Sequence, residues 1–339
     1  MTIAVETLLS GSRPSGRLHL GHLHGTLRNW VKLQERYRSF FMIADWHALT
    51  TGFDKGERIA DSVRDMVADW LAVGLDPKRS VIFRQSALLE HAELFLIFAM
   101  ITPTPWLLRN PTVKEQAREL GLVASDDDVE MVKINFGHLG YPVLQAADIL
   151  VYKASKVPVG GDQVPHVEFT RELARRFNHL YRPVFPEPEA LLSEAPKIAG
   201  LDGRKMSKSY NNAVFLSDPP ADVEAKLARM MTDPRRVRRN DPGDPKDCPA
   251  YQSLHKIYCT PDELAFVDKG CKSASIGCLE CKKIMIRHVI EDLRPIQERR
   301  REIDKQPALV TDVLEDGNRR AQAVASQTMK EVRDAVGLA

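Results

Sequence analysis

Short apolar runs alternate with amphipathic stretches along the first two thirds of the chain, and this alternation predicts the fold. Residues 5–9 are apolar and lead into a Gly- and His-rich stretch, after which residues 27–37 carry helical spacing. Residues 39–44 are a continuous apolar run that ends in Asp45-Trp46-His47, and residues 80–83 repeat the pattern before Arg84-Gln85-Ser86. Runs that are apolar on both faces and polar at their C-terminal ends suit parallel strands whose tips meet a ligand crevice. Helical spacing over residues 57–73 stops at Gly74, and Pro142 stands near the first position of another helix. Val157-Pro158-Val159 reads as a strand, Gly160-Gly161-Asp162-Gln163 as the turn after it, and a helix follows to about residue 177. This order predicts an α/β fold, a Rossmann-like doubly wound parallel sheet. Beyond Ser209 the pattern changes: residues 221–231, 261–269, 281–303 and 319–336 all have helical spacing, with no convincing strand. The expected division is a Rossmann-like domain over residues 1–200 and a helical domain over residues 201–339, with the boundary within residues 197–216.

Charge and composition narrow the picture only slightly. The 339 residues hold 48 Lys plus Arg against 46 Asp plus Glu, a net charge of +2, so a nucleic-acid partner has to be sought in local clusters. The first residues lack a basic segment followed by an apolar one, and the strongest apolar run, residues 94–101, is too short to span a membrane. The expectation is a cytoplasmic protein with no membrane partner and no DNA partner. All five cysteines fall between Cys248 and Cys281, which favours a metal site over disulfides.

Candidate chemistry clusters at the predicted turns. In residues 11–25, a strand-to-helix turn, Gly21 and Gly25 allow a ligand close to the backbone, and the helix N-terminus suits a phosphate. His19 and His22 are three residues apart, on one side of a helical turn, placed to donate to oxygens that gain charge. Tyr141, Gln145 and Asp148 form one polar stripe on an otherwise apolar helix. Asp148 is suited to accept from an indole N–H or a phenol O–H, and Tyr141 with Gln145 to hold an amino group; satisfied structural hydrogen bonds are the alternative. In the turn 160–163, Asp162 suits a ribose hydroxyl and Gln163 an ammonium or carboxylate, with a helix N-cap as the plainer reading of Asp162. Gly203-Arg204-Lys205-Met206-Ser207-Lys208-Ser209 is a basic loop suited to a leaving polyphosphate, or an ordinary solvated loop.

His19-Leu20-Gly21-His22 together with Lys205-Met206-Ser207-Lys208-Ser209 resembles the paired HIGH and KMSKS signatures of class I aminoacyl-tRNA synthetases. Residues 141–150, 157–163, 45–48 and 230–234 resemble the tryptophanyl-tRNA synthetases of bacterial type, and the likeness covers nearly the whole chain. The resemblance implies that an amino-acid carboxylate attacks the α-phosphate of ATP and that the acyl group then moves to tRNA, by positioning and charge stabilisation alone. It implies that His19 and His22 contact phosphates while Lys205 and Lys208 stabilise the departing pyrophosphate, with Mg²⁺ on the polyphosphate. Arg13, Pro14, Ser15 and Gly21 would line the nucleotide and Gly160, Gly161 and Asp162 the ribose. Ile198 or Met206 would touch adenine, and Ser207 and Ser209 would complete the mobile loop. L-tryptophan would lie among Leu9, His47, Tyr141, Gln145, Asp148, Val157, Val159 and Gln163. The partners implied are tRNA(Trp) and a second copy of the chain, with residues 94–106 at the dimer interface or in the core. Many bacterial members carry Gln, Asn, Met and Glu where this chain has Arg13, His22, Gln145 and Gly161. A Gln three residues before the Asp also resembles the pocket of some tyrosyl enzymes, which makes a tyrosine–tRNA ligase the rival enzyme and a non-catalytic RNA-binding or tryptophan-sensing paralogue the rival of another class.

Cys248, Cys271, Cys278 and Cys281 are separated by 22, 6 and 2 residues. Four thiolates with this ending suit tetrahedral zinc or an iron–sulfur cube, and spacing does not separate the two. The pattern resembles that of a subset of tryptophanyl enzymes that carry a 4Fe–4S cluster near the anticodon-binding region. Cys259 stands outside it and is read as a buried thiol. Arg235, Arg236, Arg238, Arg239, Lys282, Lys283, Arg287 and residues 299–301 form basic clusters nearby, suited to tRNA phosphates or simply solvated.

Overall fold

A computed structural model describes residues 5–14, 16–53, 59–125, 127–131, 133–192 and 196–339; Ser15 lies outside them. Five parallel strands form one sheet in the order β3-β2-β1-β4-β5. They are β1 (Thr7–Ser12), β2 (Arg38–Ile43), β3 (Val81–Arg84), β4 (Lys156–Val159) and β5 (Glu189–Leu192). The order reverses between β1 and β4, and a doubly wound sheet opens a crevice at that switch point. The predicted α/β architecture with a helical C-terminal part is therefore present. The strand β5 was not anticipated: Glu189-Ala190-Leu191-Leu192 is a short edge strand behind Pro183, Pro186 and Pro188, with too few residues to show a period.

Strand periodicity sends alternate residues to opposite faces. On β2, Phe41 and Ile43 join one buried cluster with Trp30 and Trp70, while Phe40 and Met42 join a second with Phe83, Phe98 and Phe177. Both clusters cross the expected boundary near residue 200. The first takes Met285, Val289 and Leu293 from the helix Cys278–Asp304, and the second takes Ala321, Ala325 and Met329 from the helix Leu309–Val336. Gly317 lets that last helix lie directly on β3, because a Cβ there would sit 1.7 Å from the Ile82 carbonyl oxygen. In residues 94–106, Leu94, Phe98 and Ile101 are buried in the core, whereas Leu96 and Met100 are exposed. Among the described residues, no helix is long and apolar enough to cross a membrane.

Candidate active site

The crevice between β1 and β4 holds a cavity of about 350 Å³. All eight residues expected around the amino acid line it: Leu9, His47, Tyr141, Gln145, Asp148, Val157, Val159 and Gln163. Arg13 and Gly160 from the nucleotide set line it too. The helix Phe136–Leu150 supplies the polar stripe, and its apolar positions Val143, Ala146 and Ile149 are buried in the adjoining cluster. Asp148 is 1% exposed and fully engaged. Its Oδ1 accepts from His91 Nδ1 at 2.7 Å and Gln85 Nε2 at 2.8 Å, and its Oδ2 from His47 Nε2 at 2.8 Å and Gln85 Nε2 at 3.0 Å. Burial alone would raise its pKa, but the His47 and His91 donors win and hold it at about 2. Nearby, the Tyr141 hydroxyl and His166 Nε2 are 2.9 Å apart. Burial lowers His166 to about 4 and raises Tyr141 above the usual phenol range, so both are neutral at pH 7.

The region expected to take phosphates is built by segments distant in sequence. After the basic loop the chain pairs with the His-rich turn: Leu20 N–H donates to the Val214 carbonyl at 3.0 Å, Leu216 N–H to the Leu18 carbonyl at 2.9 Å, and His19 bridges Phe215. Asn212 organises the loop itself, accepting from Ser207 N–H at 2.8 Å and donating to Asp202 at 2.7 Å. Gly200 makes room for it, since a Cβ would meet the Asn212 amide at 2.3 Å. Met206 and Ile198 are joined by a 2.9 Å backbone hydrogen bond, and both side chains are buried in the first apolar cluster. Lys208 Nζ lies 3.9 Å from the position of a Cβ on Gly16, and its charge reaches both His19 and His22. Lys205 and Ser209 are exposed, and Ser207 is half-buried.

The two histidines are held in one tautomer. Gly21 N–H donates to His19 Nδ1 at 3.1 Å, and His19 N–H donates to His22 Nδ1 at 3.2 Å. A ring nitrogen that accepts from an amide is unprotonated, so each neutral ring carries its proton on Nε2. Gly21 is required for this cap, because a Cβ would lie 2.9 Å from His19 Nδ1. Burial and then Lys208 lower His19 to about 4; burial, His19 and Lys208 lower His22 to about 3. The pair therefore presents neutral N–H donors beside a lysine, an arrangement suited to oxygens that gain negative charge. In the 160–163 turn, Gly161 and Asp162 are exposed, and the Asp162 carboxylate accepts from Gln163 Nε2 at 3.1 Å. Pro14 is buried, and Arg13 donates to Thr51 Oγ1 at 3.3 Å.

The turn is tied to the C-terminal helices at two points. Asp69 accepts from Leu18 N–H at 3.1 Å and pairs with Arg300. His24 Nε2 lies 2.7 Å from the Tyr258 hydroxyl, which donates to Asp292 at 3.1 Å. Sequence reasoning missed these holders, together with Gln85, His91 and Tyr152. Gln85 carried a readable signal, since it stands at the polar end of an apolar run as His47 does.

The four cysteines of the expected site gather in one lobe as free thiols. Burial raises Cys281 to about 12, and Cys248, Cys271 and Cys278 add to the shift through their charges. Among the described residues, no three His, Cys, Asp or Glu side chains are drawn together tightly enough to hold one ion. Cys259 is half-buried, and its Sγ lies 3.3 Å from His255 Nδ1, whose other nitrogen is 3.4 Å from Cys281 Sγ. The basic clusters are partly structural. Arg236 turns inward and donates to the Arg239 and Ile276 carbonyls at 2.7 Å each, and Lys282 donates to the Met230 carbonyl at 3.0 Å. Arg299 Nε donates to the Ala72 carbonyl at 2.5 Å, whereas Arg238, Lys283, Arg287 and Arg301 stay exposed.

Sheet order, the cleft at the switch point and the paired His and Lys segments define an α/β fold of the class I synthetase type. The family of tRNA synthetases class I (W and Y) matches residues 5–293. The tryptophan–tRNA ligase of Thermotoga maritima is 51% identical over 332 residues, covering 98% of this chain and 99% of that protein. The one of Aquifex aeolicus is 45% identical over 393 residues, again across 98% and 99%. Tryptophanyl-tRNA synthetase from Campylobacter jejuni, solved with ADP and tryptophan, superposes with a TM-score of 0.83 at 29% identity over 98% of this chain and all of that one. The chain belongs to the class I tRNA synthetases, in the bacterial-type tryptophan–tRNA ligase family.

Proposed function

We propose that the chain joins L-tryptophan to tRNA(Trp) through a tryptophanyl-adenylate made from ATP. The observation that carries this reading is the meeting of two distant segments, the His-rich turn and the chain after the basic loop, where the turn's neighbours Arg13 and Thr26 line a cavity that also holds a buried, ionised carboxylate. Tryptophan lies in the cavity, its indole N–H toward Asp148 and its ring against Leu9, Val157 and Val159. Tyr141, Gln145 and Gln163 take the ammonium and carboxylate. The carboxylate oxygen attacks the α-phosphorus, the bond to the bridging oxygen breaks, and pyrophosphate leaves. His19 and His22 donate from Nε2 to phosphate oxygens, and Lys205 and Lys208 offset the charge on the leaving group. Arg13, Pro14, Ser15 and Gly21 line the nucleotide, and Gly160, Gly161 and Asp162 hold the ribose. Adenine lies against the backbone of Ile198 and Met206, whose side chains point into the core, and Ser207 and Ser209 close the loop. Mg²⁺ enters on the polyphosphate as part of the substrate. Residues 1–200 carry the cavity and the His-rich turn, and residues 201–339 bring the basic loop and the helices that meet tRNA. The active form is a homodimer in the cytoplasm.

Cys248, Cys271, Cys278 and Cys281 are the residues that would hold a 4Fe–4S cluster. Cys248, Cys271 and Cys278 lie within electrostatic reach of Cys281, an all-thiol donor set that suits such a cluster, with tetrahedral zinc as the alternative. Such a group supplies a crosslink among four points of the lobe.

The test is one anaerobic preparation. Pyrophosphate exchange into ATP should depend on tryptophan, and the protein should be brown and contain iron. Exchange supported by tyrosine and not by tryptophan overturns the amino-acid assignment. Exchange with neither indicates a non-catalytic paralogue. Colourless protein with stoichiometric zinc keeps the four-thiolate site and removes the cluster.

A further inference from the structure

The proposed contact between Asp148 and the substrate ring places a charged group where water does not reach it. What keeps that group charged and aimed lies outside the cavity. An ionised carboxylate offers about four acceptor sites. Four contacts from three donors, His47, His91 and Gln85, fill them, two of the four from the single Gln85 Nε2, and a ring N–H takes the place of the donor that lines the cavity, His47. Gln85 cannot turn its amide over, because its Oε1 accepts from Trp46 N–H at 3.1 Å. His47 lines the cavity itself. His91 is different: it is 0% exposed, does not line the cavity, and is fixed from behind by the Tyr152 hydroxyl at 2.8 Å from its Nε2. Tyr152 is 2% exposed, and its pKa is raised far above the phenol range by burial and by the charges of Asp148 and Glu90, so it remains a donor. The proton order is thereby set. Tyr152 O–H donates to His91 Nε2, and His91 Nδ1–H donates to Asp148 Oδ1. The other faces of this group are apolar, with Phe83 stacked on His91 at 6.0 Å and Phe40 on Tyr152 at 4.7 Å. No lysine or arginine is hydrogen-bonded to Asp148 among the described residues, so its partners there are the two histidines and Gln85.

We propose that His91, backed by Tyr152, is a positioning residue for amino-acid selection, which locks Asp148 ionised and in one rotamer so that it accepts the ring N–H of the substrate. The inference rests on the tryptophan reading above. In His91→Phe the ring shape is kept and the donor is lost. The carboxylate then loses one of three donors while remaining dry, its orientation loosens, and its proton affinity rises. In His91→Asn an amide N–H stands where Nδ1 stood. In Tyr152→Phe the tautomer of His91 is no longer imposed, though the ring remains.

The experiment is pyrophosphate exchange on the wild-type and the three variants, with KM for tryptophan and for ATP measured separately from pH 5 to 8 and tryptophan binding followed by titration calorimetry. His91→Phe should raise the tryptophan KM and Kd about tenfold or more, the range for a hydrogen bond to a charged group, with the ATP KM within about twofold. The acid limb of kcat/KM for tryptophan should move upward. His91→Asn should restore most of the loss, and Tyr152→Phe should shift both quantities in the same direction by less. A folded His91→Phe with wild-type tryptophan KM and acid limb overturns the inference, as does an equal loss toward ATP, or a His91→Asn no better than the phenylalanine variant. Should His91→Phe not fold, an unchanged Tyr152→Phe overturns it equally. A wild-type that exchanges with tyrosine instead defeats the underlying assignment and is recognised before any variant is compared.

Discussion

The two ends of the cleft handle charge in opposite ways. At the end proposed for the amino acid the fixed charge is one carboxylate, Asp148, held by side-chain donors on a helix, a strand end and a buried histidine. At the phosphate end the histidines are kept neutral by burial, and the charge sits on lysines of a loop. Selection needs a group that stays in one place and in one protonation state, and close-packed elements supply that. Charge stabilisation during reaction needs cations that gather round a polyphosphate and let it leave, which is the role proposed for the loop. The second carboxylate near the cleft, Asp69, shows the contrast. It is as buried as Asp148, but Arg300 neutralises it, and its remaining oxygen is taken by the Leu18 N–H. A carboxylate paired in this way supports structure and has little charge left to offer a ligand.

The largest effect should come from the loop. Lys208→Ala should lower the rate of adenylate formation by about 10²–10³-fold, the usual loss for a donor to developing charge. Tryptophan affinity should stay near the wild-type value, because Lys208 does not line the amino-acid cavity. Single-turnover kinetics with calorimetric tryptophan binding separates the two ends. A loss of tryptophan affinity as large as the loss of rate would abolish the contrast.

A smaller effect, on stability, should follow from Arg300→Met, which leaves Asp69 buried without its counter-ion. The cost expected is about 2–3 kcal/mol, at the low end for a broken buried pair because Arg300 is itself partly open to water. The variant should also lose less stability at pH 5 than at pH 8. Its unpaired Asp69 has a carboxyl pKa raised further by burial, so the folded state binds a proton that the unfolded state releases. Urea unfolding at both pH values measures this, and a variant as stable as the wild-type would assign Asp69 no structural charge.

Much of this was legible before the structure. The sheet follows from apolar runs with polar ends, and the eight cavity residues lie in segments whose polar positions contradicted an apolar helix or strand. What was not legible has a common cause. Gln85, His91, Tyr152, Asp69 and Tyr258 act through partners between 34 and 234 residues away, and no local period marks a residue whose function is to hold another. The basic clusters misled in the same manner. Arg236, Lys282 and Arg300 look like solvent-facing charge in sequence, yet in the fold they cap carbonyls and pair with Asp69. The edge strand β5 was hidden by its length. The packing of the last helix directly onto β3 was invisible because it depends on Gly317 meeting Ile82.

The smallest effect separates the two ends by pH. His19, His24 and His166 are lowered to about 4 and His22 to about 3, each mainly by burial. An unfolded histidine titrates near 6.5, so between about pH 6.5 and 4 the unfolded chain binds protons that the folded chain refuses. Stability should therefore be flat from pH 8 to 7 and fall as the pH drops from about 6.5 toward 4, by up to about 1.4 kcal/mol per pH unit for each fully linked histidine. Three of the four histidines belong to the turn at the phosphate end. A bound triphosphate favours their charged form, so ATP should bind more tightly at pH 5.5 than at pH 7.5, with proton uptake visible as a buffer-dependent heat. Asp148, held at about 2, is ionised throughout this range, and tryptophan affinity should not change. Calorimetry with each ligand alone, in two buffers of different ionisation enthalpy, distinguishes the ends. Proton uptake with tryptophan and none with ATP would reverse the assignment of fixed and responsive charge.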